Sequence, residues 1–136
     1  MAQVLDEFAG QVRLVAKDLP LAIHDRARPA AEAARCAGAQ GRYWEYRARL
    51  FAAQPRFADA DLLRYAVEVG LDGEAFARCV RSGTFAAAVA RDAAEARALG
   101  ITGTPTFLVN GLVLVGDHPV ENFRAAIAEA LRRRAR

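Results

Sequence analysis

Cysteine is scarce in this chain, and no two cysteines are close. Among 136 residues there are two, Cys36 and Cys79, and no Cys-x-x-Cys occurs. That excludes the local spacing used by redox dithiols and by zinc ligand pairs. No run approaches the ~20 apolar residues of a membrane helix, so no membrane span is expected. The opening MAQVLDEFAG has no basic stretch and carries acids where a signal peptide needs an apolar core. No export signal is read there, and taken literally the chain would be cytoplasmic. A Gly-rich phosphate loop, a nucleophile elbow and an HExxH are all missing, and no cofactor is implied. Excess charge is small: the net charge is +3, most of it in the tail residues Arg132, Arg133, Arg134 and Arg136. The aromatics lie elsewhere, so the interleaved basic face of a nucleic-acid domain is absent and no nucleic-acid partner is expected.

What is present is apolar and helix-rich. Hydrophobic residues make up 54% of the sequence, enough for one domain with a real core. Val4, Leu5 and Phe8 share a helical face that Gly10 ends. Val12, Leu14 and Ala16 alternate with Arg13, Val15 and Lys17, which predicts a strand stopped by Pro20. Residues 29–99 then read as consecutive helices. Pro29 suits a first turn, an alanine face at Ala30, Ala33, Ala34 and Ala37 allows close packing, and Gly38 and Gly41 are expected to break that helix. Tyr43, Trp44, Arg47, Leu50 and Phe51 open the next helix, with aromatics expected on the inner face, and Gln54-Pro55 ends it. Asp59 or Asp61 is the expected cap of a helix bearing Leu62, Leu63, Ala66, Val67 and Val69. Asp72 is the expected cap of one bearing Ala75, Phe76 and Val80. A last helix of the block covers residues 84–99. Two short apolar runs, Thr106–Val109 and Leu112–Val115, flank Asn110-Gly111, the strongest short hairpin signal, because both turn positions favour positive φ. A final helix begins at residues 117–119 and buries Phe123, Ile127, Ala130 and Leu131. Acids at its start and arginines at its end match the helix dipole, which gives the basic tail a structural explanation.

The most specific segment is GITGTPTFLVNG, residues 100–111. A glycine-rich turn leads into Thr104-Pro105 and directly into a strand. Proline cannot donate to a ladder and belongs at a strand's start or edge. The X-Pro bond in so forced a turn is a candidate for cis; the plain alternative is a trans proline that merely starts an edge strand. Together with VRLVAKDLPLAIH, RPAAEAARCAGAQGRYWEYRARLF and GLDGEAFARCVRSG, in that order, the segment resembles the DsbA-like thioredoxin family, disulfide oxidoreductases with a helical insertion. The likeness extends over essentially the whole chain. It implies an α/β thioredoxin-like fold in a single domain, 1–136. Residues 29–99 would be the all-helical insertion, and 1–28 and 100–136 the thioredoxin-fold parts.

The resemblance also implies activity, partners and place. The family exchanges thiols and disulfides with protein or peptide substrates and is typically periplasmic or exported. Thr104 and Pro105 would shape the substrate groove through backbone hydrogen bonds. In the family a central strand and a Cys-x-x-Cys at a helix start come before the residues seen here, so the chain is expected to lack the first strand and both catalytic thiols. Cys36 and Cys79 do not match those positions, no catalytic residue is assigned, and the chain itself is expected to be redox-inactive or a fragment. A sheet without its central strand exposes unpaired edges. A homodimer or a strand-swapped partner, a rearranged sheet, or a longer natural product would answer that. Two alternatives stay open: a non-catalytic peptide- or protein-binding module, and a kappa-type glutathione transferase or isomerase.

The remaining candidates are weighed against plainer readings. Cys36 and Cys79 are either two small core residues or a structural disulfide closing a loop of about 43 residues, for which chain entropy gives about 4 kcal/mol. His24 and His118 flank the helical block in turn-like sequence. They read as solvated, since no ligand pair has zinc spacing. Tyr43, Trp44 and Tyr46 could form a ligand platform, but aromatics at helical spacing more often face the core.

Overall fold

In the computed structural model, which describes residues 2–134, seven helices and two strands follow in the order α1 (Ala2–Glu7), α2 (Ala27–Ala39), α3 (Tyr43–Ala53), α4 (Asp59–Glu68), α5 (Gly73–Arg81), α6 (Ala86–Ala98), β1 (Thr106–Val109), β2 (Leu112–Val115) and α7 (Val120–Arg134). Arg136, part of the basic tail noted above, lies outside the described residues. The chain divides into two compact units: residues up to Ala16 together with those from Leu99 on, and Lys17–Ala98. The second unit takes in the non-helical residues from Lys17 on, and its helices begin at Ala27.

In the first unit β1 and β2 pair antiparallel, with Val109 opposite Leu112 and Thr106 opposite Val115. Asn110 (φ 47°) and Gly111 (φ 90°) make the turn, the left-handed pair that matches the twist of two adjacent strands. The inward side chains of the hairpin, Phe107, Val109 and Leu114, pack on Val4, Phe123 and Ile127 of α1 and α7. Phe107 meets Phe123 edge-on at 4.8 Å, a favourable quadrupole geometry. The opposite face, with Leu108, Val113 and Val115, is exposed.

The strand expected at residues 12–16 is corrected: among the described residues the sheet holds β1 and β2 alone. The side-chain alternation that suggested it is nevertheless there. Val12, Leu14 and Ala16 are half-buried, while Arg13, Val15 and Lys17 are exposed. Alternation needs only an extended backbone against an apolar layer, whereas a strand needs a hydrogen-bonded neighbour, and this segment has none among the described residues.

In the second unit α2 touches each of the other four helices. Its alanines make this possible: Ala33 and Ala37 are fully buried, and a methyl side chain lets a neighbouring helix approach closely. Gly38 does not break α2, as expected, but lies inside it, where an added Cβ would sit 3.4 Å from Cβ of Tyr43. The break falls at Gly41 (φ 77°). The inner face of α3 is also corrected. Tyr46, Leu50 and Ala53 are buried, whereas Trp44 is 45% and Phe51 57% exposed. Positions 46, 50 and 53 follow the i, i+4, i+7 spacing of one face, and 44, 47 and 51 follow the neighbouring one. Leu63 and Val67 of α4 are exposed in the same way. Neither Asp59 nor Asp61 caps α4; both lie in its first turn after Ala58, where a carboxylate complements the helix dipole, and they pair with Arg26 and Arg64. Asp72 does cap α5, accepting from the N–H groups of Glu74 and Ala75 at 2.9 and 3.0 Å.

Two polar contacts tie this unit together over long sequence distances. The Tyr46 hydroxyl donates to the Leu62 carbonyl at 3.0 Å, joining α3 to α4 without an unpaired buried group, and its burial pushes the phenol well above its ordinary pKa. Asp92 on α6 is a buried carboxylate, 8% exposed. It accepts from Lys17 Nζ, from the Asp18 backbone N–H and from Arg35 Nη2. Arg35 also donates to the Asp18 carboxylate, so the charges that burial would penalise are neutralised in a cluster.

Candidate functional site

The residues singled out in the sequence fall in both units. Thr104 and Pro105 belong to the first, Cys36 and Cys79 to the second.

Thr104 and Pro105 are exposed and stand immediately before β1. The bond between them is cis. Three contacts fix the turn. The Gly116 N–H donates to the Pro105 carbonyl at 2.8 Å, closing the open end of the hairpin. The Thr106 hydroxyl donates to the Gly103 carbonyl at 2.8 Å. Thr106 then starts the ladder opposite Val115. Among the described residues the N–H and C=O of Thr104 have no hydrogen-bond partner, and β1 has a partner strand on one side only. An exposed residue with free backbone groups beside an unpaired strand edge is the kind of feature on which an extended polypeptide can add as a strand.

His118 follows β2 at this same open end of the hairpin. Its Nε2 is 2.9 Å from the Val115 carbonyl, and its Nδ1 is 2.8 Å from Nδ2 of Asn122. His24 lies in the other unit and is exposed. Among the described residues no group of three or more His, Cys, Asp or Glu side chains gathers as metal ligands would.

Cys36 of α2 and Cys79 of α5 are joined in a disulfide, with their Cα atoms 5.9 Å apart. Of the two readings open in the sequence, the structure takes the bridged one. Cys36 is buried and Cys79 partly so, packed against the main core of the helical unit. No cysteine remains free. Disulfide exchange needs an attacking thiolate, and here both sulfurs are occupied by a cross-link between two helices.

The aromatic group of α3 divides. Tyr46 enters the core beside Phe76, with ring centroids 5.4 Å apart. Trp44 stays outside, with Tyr43 edge-on to it at 5.0 Å. Sequence reasoning missed the Asp92 cluster entirely. Lys17 and Asp92 are 75 residues apart, and no local pattern marks such a pair.

A family profile described as Thioredoxin matches residues 1–129 of this chain. The chain is 40% identical over 120 residues to Na(+)/H(+) antiporter NhaA 3 of Salinispora tropica, covering 88% of this chain and 18% of that protein. It is 36% identical over 129 residues to Na(+)/H(+) antiporter NhaA of Herminiimonas arsenicoxydans, covering 95% of this chain and 20% of that protein. The chain therefore spans about a fifth of the length of these curated relatives. Among solved structures, a thioredoxin-like oxidoreductase from Silicibacter pomeroyi DSS-3 superposes with a TM-score of 0.84 at 30% identity, covering 96% of this chain and 75% of that one.

Proposed function

The chain belongs to the thioredoxin family and has a thioredoxin-like fold with an all-helical insertion, and from this we propose that it is a DsbA-like disulfide-oxidoreductase domain that, as this polypeptide, holds extended protein or peptide segments without exchanging their disulfides. The observation that carries the reading is the exposed Thr104–Pro105 turn, with the backbone groups of Thr104 free and one edge of β1 unpaired among the described residues. A peptide laid along that edge gains main-chain hydrogen bonds whatever its sequence. The silent part of the reading rests on the sequence, which has no Cys-x-x-Cys, and on both cysteines being held in the Cys36–Cys79 bridge. That bridge also supports an oxidising compartment as the place of action.

The same edge suits a strand from a second copy. The extended residues 12–16 keep strand-like alternation without a ladder partner, so a homodimer or a strand exchange would give them one.

Two measurements test this. Insulin reduction by dithiothreitol, followed by turbidity, should proceed at the uncatalysed rate; turnover above that rate overturns the redox-silent assignment. Titration of the 15N-labelled protein with an alkylated, permanently unfolded polypeptide should shift amides within residues 103–109. Shifts confined to other parts of the molecule, or no shifts, overturn the peptide-holding assignment.

A second reading comes from the relatives, which are named as antiporters and match this chain over about a fifth of their length. The domain would then act as a soluble-face module attached to or associated with such a transporter. Among the described residues no helix is long and apolar enough to cross a membrane, so any spanning part lies in other sequence. Cross-linking in whole cells that joins this chain to an antiporter supports that reading, and its failure with the antiporter present removes it.

A further inference from the structure

The helical unit contains a cavity of about 560 Å³, bounded by α2, by α3 and by the loop that carries Asp18 and residues 24–26. That volume lies within the range of small-molecule sites. It stays open because α2 turns only methyl groups toward it, at Ala30, Ala31 and Ala34, while Leu50, Phe51 and Phe57 form apolar walls. All of its lining residues belong to this unit, whereas the Thr104–Pro105 turn belongs to the other.

Its charges are mostly spent. Of the two arginines on the lining, Arg26 pairs with Asp59. The lining carboxylate Asp18 accepts from Arg35. Arg47 differs: among the described residues it forms no ion pair, and its guanidinium lies over the Phe51 ring at 4.5 Å and over the Trp44 ring at 5.8 Å. Stacking on rings holds a guanidinium flat and leaves its N–H edge free. A free edge of that kind matches a carboxylate with two parallel hydrogen bonds. Asp25, on the same lining, is exposed and without an ion-pair partner among the described residues, so a cationic occupant is the rival that a test must eliminate.

We propose that this cavity is a binding site for a small carboxylic acid with an apolar body. Arg47 takes the carboxylate, and the alanine face of α2 with Phe51 and Phe57 takes the apolar part.

The probe is octanoate, with octan-1-ol and octylammonium as the uncharged and cationic counterparts. Binding is followed by calorimetry and by the fluorescence of Trp44, the single tryptophan of the chain, which reports on Arg47 from the adjacent position of its stack. Octanoate should bind with octylammonium at least about tenfold weaker. Arg47→Gln should weaken octanoate by about tenfold or more and leave octan-1-ol unchanged. Arg47→Lys, which keeps the charge and loses the planar fork, should fall between. Ala31→Leu should weaken octanoate and octan-1-ol alike by filling the cavity. Circular dichroism confirms that each variant is folded, and should Arg47→Gln not fold, the Lys and Leu variants decide. Equal binding of octanoate and octylammonium, unchanged octanoate affinity when Arg47 is replaced, or no octanoate binding up to about 10 mM overturns the proposal.

Discussion

The helical unit gathers thirteen buried residues into one core, from Ala30 to Phe76, and braces it with a disulfide and a buried charge cluster. The sheet-bearing unit has a buried centre of three residues, Val4, Phe123 and Ile127, with half-buried neighbours around it. The first satisfies its polar groups internally: the Tyr46 hydroxyl, the Asp92 carboxylate and the first N–H groups of α5 all have partners. The second leaves a strand edge and an apolar hairpin face uncovered. Both come from the same alanine- and arginine-rich composition. The difference lies in what each unit can reach locally: helices close their own backbone hydrogen bonds, whereas strands depend on a neighbour. Within this fold, stability is concentrated where packing is complete, and free backbone hydrogen-bonding groups are concentrated where pairing is not.

Matched substitutions give the largest test of that contrast. Phe76 is almost fully buried within the larger core, and Phe123 slightly less so within the smaller one. Phe76→Ala should cost about 3–5 kcal/mol, and Phe123→Ala should fall at or below the lower end of that range because its surroundings can relax. Urea denaturation of both variants measures the order, and a larger loss at Phe123 breaks the comparison.

Next in size is the cross-link. Replacing Cys36 and Cys79 together with alanine should lower stability by about 2–4 kcal/mol, since an unfolded loop of 43 residues regains its freedom. Hydrogen exchange should then quicken in α2 and α5 more than in α7. Uniform quickening would mean that the bridge does not belong to the helical unit alone.

The smallest effect is a pH dependence. Burial holds the Asp18 carboxyl above its ordinary pKa, against the pull of Arg35. An acid whose pKa is higher folded than unfolded favours the fold while it is protonated. That contribution is complete below the unfolded value of about 3.9 and is lost as the pH rises through the folded value. Asp18→Asn removes this loss, so from about pH 4 upward the variant's stability should fall less, or rise more, than that of the parent. Denaturation at several pH values measures the difference in slope, and a difference of the other sign overturns the assignment.

The parts of this fold legible in the sequence were those set by nearest neighbours. Asn110-Gly111 specifies its own turn, Asp72 its own cap, and Phe123 with Ile127 and Ala130 its own buried face. Residues 12–16 show where local reading stops. Their alternation is real, yet whether it becomes a strand depends on another stretch of chain. The aromatic character of Trp44 and Phe51 points inward, whereas the helical period places them beside Arg47 and outside the core. Of the candidate sites, the Thr104–Pro105 turn could be located from one glycine-rich segment. The cysteine pair could be named but not joined, because its geometry arises from the packing of α2 on α5. The cavity beside Arg47 had no signature at all, since it is defined by what α2 omits, and alanines read equally well as tight packing.

Asp92 does not itself line that cavity, yet three donors converge on it, and two of them, Lys17 and the Asp18 amide, begin the segment that becomes the cavity wall. It works as a rivet that holds the start of that wall to α6. Damage there should therefore surface as a change in what the protein holds before it shows as a change in whether the protein folds.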